Sequence, residues 1–191
     1  MPTFNIPPQI RLARPDELPL LQEIERAAGE RFREIGMPEI ADDDPPALHL
    51  LARHQRHGLA WVAADVSDRP VGYLLCSFAA GEPHVDQVSV HPANSRRGIG
   101  RSLLDHLAGS QAANGRTMLT LTTFAQVPWN APYYARCGFE VMAEGELNRA
   151  LRKKVEEEAA QGLDRWPRVC MRRRLAGVQT SPNTSMSAAS G

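Results

Sequence analysis

The sequence predicts an α/β (α+β) fold, a single domain in which a central mixed sheet is flanked by helices. Runs with the alternation of strands are interleaved with amphipathic runs of helical period along most of the chain. The 191 residues suffice for one domain of ordinary size with a single core. Within residues 85–104 a β-like segment leads through a basic, glycine-containing loop into an amphipathic helix. These three observations favour a sheet whose strands are connected by helices.

The individual elements follow from periodicity and from turn residues. A strand over residues 10–14 leads through Pro15 into a first helix. The apolar side chains of this helix recur every three to four residues: Leu18, Leu21, Ile24 and Ala27. A second helix is expected from Pro45 towards Gly58. Further strands are expected over residues 59–66, 71–78, 85–91, 118–124, 139–142 and 168–175, and further helices over 98–114 and 146–162.

The C-terminal part combines a last strand with a tail. Arg172, Arg173 and Arg174 end this strand, and we expect an edge strand that their charges protect from pairing with other chains. Residues 176–191 are mostly Ser, Thr, Pro, Gly and Ala, without a charged side chain, which is typical of disorder. We therefore expect a domain over residues 1–175 and a disordered tail over 176–191.

Composition narrows the classes of function. Lys plus Arg and Asp plus Glu both number 22, so the overall charge does not point to nucleic acid or to an anionic membrane. No apolar run approaches the ~20 residues that cross a bilayer. The three cysteines have no CxxC spacing, and no spacing of His, Cys, Asp and Glu indicates a metal site. We expect a cytoplasmic protein with reduced thiols, no metal, and neither nucleic-acid nor membrane partners.

The loop at residues 95–101 has the features of a phosphate-binding site. Gly98 and Gly100 lack a Cβ, so the backbone can approach a pyrophosphate closely. The N-terminus of the following helix adds partial positive charge and free N–H groups. Full positive charges come from the arginines of the loop: Arg96, Arg97 and Arg101.

Spacing separates this loop from other phosphate-binding motifs. A Walker loop is excluded because no Lys is followed by Ser or Thr, and a dinucleotide fingerprint is disfavoured because Leu103 stands at its third glycine position. The pattern instead resembles the coenzyme A loop of the GNAT superfamily of acyl-CoA-dependent N-acetyltransferases, [Q/R]xxGx[G/A]. Gly98 and Gly100 take the two small positions, and Ser95 stands where Gln or Arg is usual.

Residues 129–139 resemble a second motif of that superfamily, a short helix and a strand with the pattern aromatic, Tyr, x, Lys or Arg, x, Gly, Phe. The matching residues are Tyr133, Tyr134, Arg136, Gly138 and Phe139. We expect Asn130 to cap the helix. The resemblance implies that Tyr134 protonates the departing thiolate as a general acid. For Tyr133 we expect a packing role.

The resemblance covers residues 10–175 and implies how acyl-CoA is held. It implies a mostly antiparallel sheet that splays open, with acyl-CoA in the gap between two strands. The backbone of residues 88–90 would pair with the pantetheine amides like an added strand, and the loop would bind the pyrophosphate. The implied coenzyme A contacts are Val88, Ser89, Val90, Arg96, Arg97, Gly98, Ile99, Gly100, Arg101 and Asn130.

Candidates for the group that deprotonates the amine lie on the strand before the loop. His84 and Asp86 are two residues apart, so in a regular strand they share a face. In one branch of the superfamily this strand reads HLHALAVH, and its two catalytic histidines fall on these positions. A neutral His84 can accept a proton at neutral pH, whereas Asp86 is suited to attract a cationic amine. A water chain, or two ordinary surface residues, are alternatives that stay open.

The resemblance implies an N-acetyltransferase in which a primary amine attacks acetyl-CoA directly in a ternary complex. Acetyl-CoA is then a cosubstrate, and the acceptor is a small molecule or a protein amino group. The alternative is an acyl-CoA-binding sensor or scaffold with little turnover. Tyr134 and His84 favour the enzyme, because a binding module needs neither titratable group. The acceptor and the formation of a homodimer stay open.

Overall fold

The structure, a computed structural model, describes residues 8–175 of the chain. This part contains seven strands and six α-helices. The strands are β1 (Gln9–Leu12), β2 (Ala60–Ala64), β3 (Pro70–Ala79), β4 (Glu82–Val90), β5 (Met118–Phe124), β6 (Glu140–Val141) and β7 (Arg168–Arg174). The helices are α1 (Leu18–Gly29), α2 (Pro38–Ala41), α3 (Leu48–Arg56), α4 (Ile99–Ala113), α5 (Ala131–Arg136) and α6 (Arg149–Ala160). The predicted disordered tail at 176–191 lies outside the described residues.

The strands form one sheet in the order β1-β2-β3-β4-β5-β7-β6. Neighbouring strands are antiparallel except β4 and β5, which run parallel. This confirms the predicted mixed, mostly antiparallel sheet. A parallel pair needs a crossover connection, and α4 supplies it between β4 and β5.

The prediction that the last strand is an edge strand was wrong. Strand β7 lies between β5 and β6, so both of its sides are paired. Its arginines form ion pairs instead of protecting an edge. Arg172 contacts Glu140 at 2.7 Å and Glu146 at 2.8 Å, and Arg173 contacts Asp105 at 2.6 Å.

A tight turn at Ala80 and Gly81 joins β3 to β4. Both residues have positive φ, 53° and 84°, as a type I′ hairpin turn requires. Pairing continues from the turn to Gly72 opposite Val90. The strand predicted to begin at residue 85 therefore begins at Glu82.

Helices cover both faces of the sheet. On one face α4 packs its apolar stripe against the central strands, and the buried side chains include Leu74, Leu103, Leu104, Leu107 and Leu119. On the other face α1 and α3 pack against β2 and β3 through Leu21, Ile24, Leu51, Val62 and Leu75. Leucines 74 and 75 contact different layers because neighbouring strand residues point to opposite faces. Helix α3 begins three residues after the predicted Pro45, because Ala47 is still extended, with ψ 146°.

An ion cluster fixes β1 to the turn between β2 and β3. The Arg11 guanidinium contacts Glu17 at 2.6 Å and Asp68 at 2.8 Å, and Asp68 also contacts Arg14 at 2.6 Å. The Glu17 side chain is only 9% exposed. Burial alone would raise the pKa of Glu17, but hydrogen bonds from Arg11 and from the backbone N–H of Arg14 outweigh burial and lower it.

We expect Glu17→Gln to lower the free energy of unfolding by about 2–3 kcal/mol at pH 7. This is less than the ~3–5 kcal/mol for breaking a fully buried pair, because Asp68 still compensates Arg11. A lowered carboxyl pKa stabilises the fold above the unfolded value of ~4.3. That stabilisation is lost as the pH falls through the folded pKa, so the difference between the two proteins should shrink towards pH 3. Urea unfolding at both pH values tests this.

Glu23→Gln is the matched control, because Glu23 is exposed on α1. It should change the unfolding midpoint little at either pH. A Glu17→Gln deficit of equal size at pH 7 and pH 3 would contradict the proposed charge interaction.

Candidate active site

A gap opens in the sheet between β4 and β5. Within residues 8–175, these strands are paired at two positions only, His84 opposite Thr120 and Val85 opposite Leu121. Strand β4 meanwhile remains paired with β3 as far as Val90. The backbone of β4 beyond Val85 is therefore open on the β5 side, as the predicted splayed sheet requires.

A β-bulge interrupts β4 at the start of this gap. Val85 lies opposite Cys76, and Gln87 lies opposite Leu75, so Asp86 is an extra residue. The two consecutive side chains of Asp86 and Gln87 both reach the layer of α1 and α3. Regular alternation, on which the prediction for His84 and Asp86 depended, does not hold at this point.

His84 is enclosed in the sheet. Its side chain is 2% exposed, and Nδ1 lies 2.8 Å from the Thr120 hydroxyl. Burial, followed by the charge of Lys154, lowers the pKa of His84 to about 4. The imidazole is consequently a weak base at neutral pH, and its enclosure does not favour the predicted role of proton acceptor.

Asp86 is held by three side chains from different elements. It accepts hydrogen bonds at 2.8 Å from Ser77 and from Lys154, and His54 Nε2 lies at 3.4 Å. Burial opposes the charged form, but the bonds from His54 and Lys154 outweigh it and lower the pKa of Asp86 to about 2. The bond to Asp86 raises the pKa of His54. Because Lys154 already neutralises this carboxylate, a role in attracting an amine is not favoured.

A second carboxylate faces the same sheet surface near the gap. Glu25 of α1 accepts a hydrogen bond from the Tyr73 hydroxyl at 2.6 Å and from the Gln87 amide at 2.7 Å, and Gln87 also donates to Ser89 at 3.0 Å. Burial raises the pKa of Glu25, and bonds from Ser89, Tyr73 and Gln87 offset this only in part. We call these four residues the Glu25 cluster.

The sequence motifs do not include Glu25, although one signal for it is present. It follows Leu21 by four residues, so helical periodicity places it beside the buried stripe of α1. A carboxylate at such a position needs hydrogen-bond partners. Those partners, Tyr73, Gln87 and Ser89, lie 48 or more residues further along the chain, and no local pattern joins them to α1.

Tyr134 lies on α5, the helix that follows β5 in the chain. Its ring packs edge-to-face on Tyr133 and Phe139, with centroids 5.5 and 5.9 Å away. Burial raises the pKa of Tyr134, as do the nearby Cys137 and the Glu25 carboxylate. The effect of Glu25 indicates that this carboxylate and the Tyr134 phenol are within electrostatic range of one another.

The loop before α4 presents backbone N–H groups. Arg96 and Gly98 have positive φ, 60° and 77°, and no side chain caps α4 at Gly98 within the described part of the chain. A Cβ on Gly98 would meet nothing within 4 Å, whereas one on Gly100 would lie 2.9 Å from the Tyr133 hydroxyl. The two glycines are thus needed for different reasons: Gly98 for its left-handed backbone, Gly100 for packing against Tyr133.

Asn130 precedes α5, but its side chain does not cap the helix, so that prediction was wrong. The amide instead donates to the Thr123 hydroxyl at 2.8 Å, and the backbone carbonyl of Asn130 accepts from Tyr133 and Tyr134. The Asn130 Oδ1 atom is buried and has no hydrogen-bond partner in the described structure. A buried acceptor of this kind needs a donor, which a bound amide can supply.

An aromatic cluster follows the end of β5. Phe32 packs against Phe124 and Trp129, and Trp166 packs against Phe124, at centroid distances between 5.6 and 6.1 Å. The Arg31 guanidinium lies 4.1 Å from the centre of the Trp129 ring. A cavity of about 280 Å³ adjoins Phe124, Trp166 and the segment 35–37.

Three further observations concern metal binding, membrane spans and the cysteines. The described residues contain no group of three or more His, Cys, Asp or Glu side chains arranged to bind a metal ion. Among the helices within residues 8–175, none has both the length and the apolar character of a membrane span. The thiols of Cys76, Cys137 and Cys170 are buried and unpaired with one another.

Comparison with known proteins agrees with this geometry. Residues 56–141 match the family model of the acetyltransferase (GNAT) domain. Over 88 residues the chain is 31% identical to the peptidyl-lysine N-acetyltransferase YjaB of Escherichia coli (strain K12), a region that covers 46% of this chain and 54% of YjaB. The chain thus spans about half the length of this curated relative.

Solved structures share the fold over most of the chain. A GNAT-family acetyltransferase from Staphylococcus aureus Mu50 superposes with a TM-score of 0.67 at 15% identity, covering 88% of this chain and 99% of that one. Rv2747 from Mycobacterium tuberculosis, solved in complex with CoA, superposes with a TM-score of 0.64 at 18% identity, covering 88% and 100%. The match to the family model, the splayed sheet and the two sequence motifs agree: residues 56–141 carry a GNAT acetyltransferase domain, and the described residues share the GNAT fold.

Proposed function

We propose that the protein transfers the acetyl group of acetyl-CoA to a primary amine, by direct attack in a ternary complex. The observation that carries the proposal is the gap between β4 and β5, whose open backbone edge can pair with a ligand that carries amide groups. An acyl thioester lying along that edge would have its reacting carbonyl between polar groups from the two faces of the sheet.

Three features of the structure match two parts of acetyl-CoA, the pantetheine and the pyrophosphate. The open edge of β4 at Val88, Ser89 and Val90 can pair with the pantetheine amides as an added strand would. The unpaired Oδ1 of Asn130 can accept from an amide N–H of the same group. At the other end, the first N–H groups of α4, from Ile99 onwards, are free for pyrophosphate oxygens.

Positive side chains complement the pyrophosphate at that loop. Arg96, Arg97 and Arg101 are exposed around the start of α4, and Gly98 lets the backbone turn towards a ligand without a side chain in between. Fixed dipoles and full charges of one sign favour a dianionic group here. This supports the coenzyme A contacts expected from the sequence motif.

The chemistry requires an acid for the leaving group. The amine nitrogen forms a bond to the acetyl carbon, the C–S bond breaks, and the thiolate takes a proton. Tyr134 can give that proton because a phenol, with an ordinary pKa of about 10, is protonated at neutral pH. A sensor or scaffold that only binds acyl-CoA is the alternative, and it would need neither Tyr134 nor the Glu25 cluster.

The acceptor is proposed only as a class, a primary amine on a small molecule or on a protein. YjaB is described as a peptidyl-lysine N-acetyltransferase, which makes a lysine-containing peptide the first acceptor to test. A cytoplasmic location and a homodimer stay predictions.

Coenzyme A should stabilise the fold. At ~100 times its Kd, a ligand that binds only the folded state adds about 2.7 kcal/mol to the free energy of unfolding. Gly98→Val should abolish the thermal shift with millimolar coenzyme A, because a β-branched residue is strained at φ 77° and its side chain covers the N–H groups. Differential scanning fluorimetry measures both effects.

Gly115→Val is the matched control for that experiment. Gly115 has φ 76° and open space around it, and it follows the other end of α4. This variant should carry the same backbone strain yet keep the shift with coenzyme A. Equal loss of the shift in both variants would show that strain, not the loop, determines binding.

Tyr134→Phe should lower kcat by roughly 10²–10⁴-fold while the fold and coenzyme A binding persist, because only the hydroxyl is removed. Thiol release with a lysine peptide or a panel of alkylamines measures it. Tyr133→Phe removes a hydroxyl that packs at Gly100, and we expect a much smaller effect. Unchanged turnover in Tyr134→Phe would return this residue to a packing role.

A further inference from the structure

The Glu25 carboxylate has no part in holding acetyl-CoA, although the backbone of Ser89, a member of the Glu25 cluster, belongs to the open edge of β4. On the basis of the proposed acetyl transfer, we propose that the Glu25 carboxylate takes the proton from the acceptor amine, which enters the site as an ammonium ion. Helix α1 lies outside residues 56–141, the region that matches the GNAT family model.

The side chains that hydrogen-bond to the Glu25 carboxylate carry no charge. Tyr73, Gln87 and Ser89, which hold Glu25, are all neutral donors. Glu17, another partly buried carboxylate, has the cation Arg11 as its partner instead. A buried carboxylate without a bound cation can receive one from a ligand, and an ammonium ion carries both the charge and the proton.

The surroundings of Glu25 favour its protonated form. Burial raises its pKa, and the negative charge of Asp43, from the segment before α3, raises it further. The groups that face it from the sheet, Tyr73, Ser89 and Gln87, act in the opposite direction. A carboxylate with a raised pKa is a better base at neutral pH than an ordinary one.

The two residues expected for this role, His84 and Asp86, have other functions in the fold. Asp86 is bound to Lys154 and has a pKa of about 2. His84 is 2% exposed and bonded to Thr120, with a pKa of about 4. Of the three side chains, Glu25 is the one whose surroundings strengthen it as a base.

Glu25 and Tyr134 would handle different protons of the reaction. The Glu25 charge raises the pKa of the phenol, while Arg168 lowers it. Two protons leave the nitrogen when an ammonium ion becomes an amide. Glu25 takes the first and returns it to solvent; the second replaces the proton that Tyr134 gives to the coenzyme A sulfur. Atoms and charges balance without another reactant.

The test is Glu25→Gln, which keeps the shape and hydrogen bonding of the side chain and removes its basicity. With an alkylamine acceptor, kcat/KM should fall by about 10²–10⁴-fold, and the acidic limb of the wild-type pH profile should disappear. Glu23→Gln, an exposed neighbour on the same helix, should keep both the rate and the limb.

A series of acceptors separates a base from a residue that only supports the fold. A weakly basic amine is already neutral at pH 7.5, so Glu25→Gln should slow its acetylation about tenfold or less. A structural role would slow weakly and strongly basic amines alike, and that result would overturn the proposal. In Glu25→Ala, added formate should restore part of the rate as an external base.

Coenzyme A binding tells the two proposals apart. If Glu25→Gln retains the thermal shift with coenzyme A and an unchanged pH profile, the assignment of Glu25 is wrong while acetyl transfer stands. If wild-type protein binds coenzyme A but acetylates none of the amines, both proposals are wrong.

Discussion

The rest of the site depends on one pairing constraint, the parallel contact of β4 and β5 at only two residue pairs. Backbone N–H and C=O groups need partners, and the strand edge beyond Val85 has lost those that a full ladder would supply. Water or a ligand with alternating amides can replace them. The unpaired Oδ1 of Asn130, whose amide is bonded to Thr123 of β5, also needs a hydrogen-bond donor. The opening is thus polar along its length although apolar layers cover both faces of the sheet.

Because of the bulge at Asp86, the carboxylates of Asp86 and Glu25 have pKa values that are shifted in opposite directions. Because Asp86 is an extra residue, it and Gln87 both reach the helices. Asp86 links α3 to α6 through His54 and Lys154, and these hydrogen bonds hold its pKa at about 2. Gln87 instead offers a neutral amide to Glu25, whose pKa burial raises. The partners of each carboxylate, rather than the residue type, determine its pKa, and with it whether the group supports structure or can exchange protons.

Local signals explain which parts of the fold the sequence could predict. Strand β5 has the predicted bounds, and α4 lies within the predicted 98–114, because alternation, helical periodicity and glycines act over a few residues. The misplaced edge strand and the wrong cap at Asn130 depend on strand order and on a contact with Thr123. The Glu25 cluster depends on a bulge and on side chains 48 and 62 residues apart, which no periodicity encodes.

The two halves of the site also differ in how closely they follow the superfamily. The loop, the open edge of β4 and Tyr134 all lie within residues 56–141, the region that matches the family model. Glu25, by contrast, belongs to α1, and the aromatic cluster combines Phe32 and Trp166 with the end of β5. We therefore expect the residues within this match to bind acyl-CoA, and the elements on either side of it to determine which acceptor is used. A carboxylate held by neutral donors suits an amine that arrives charged, because the ammonium ion then supplies both the cation and the proton that the carboxylate lacks.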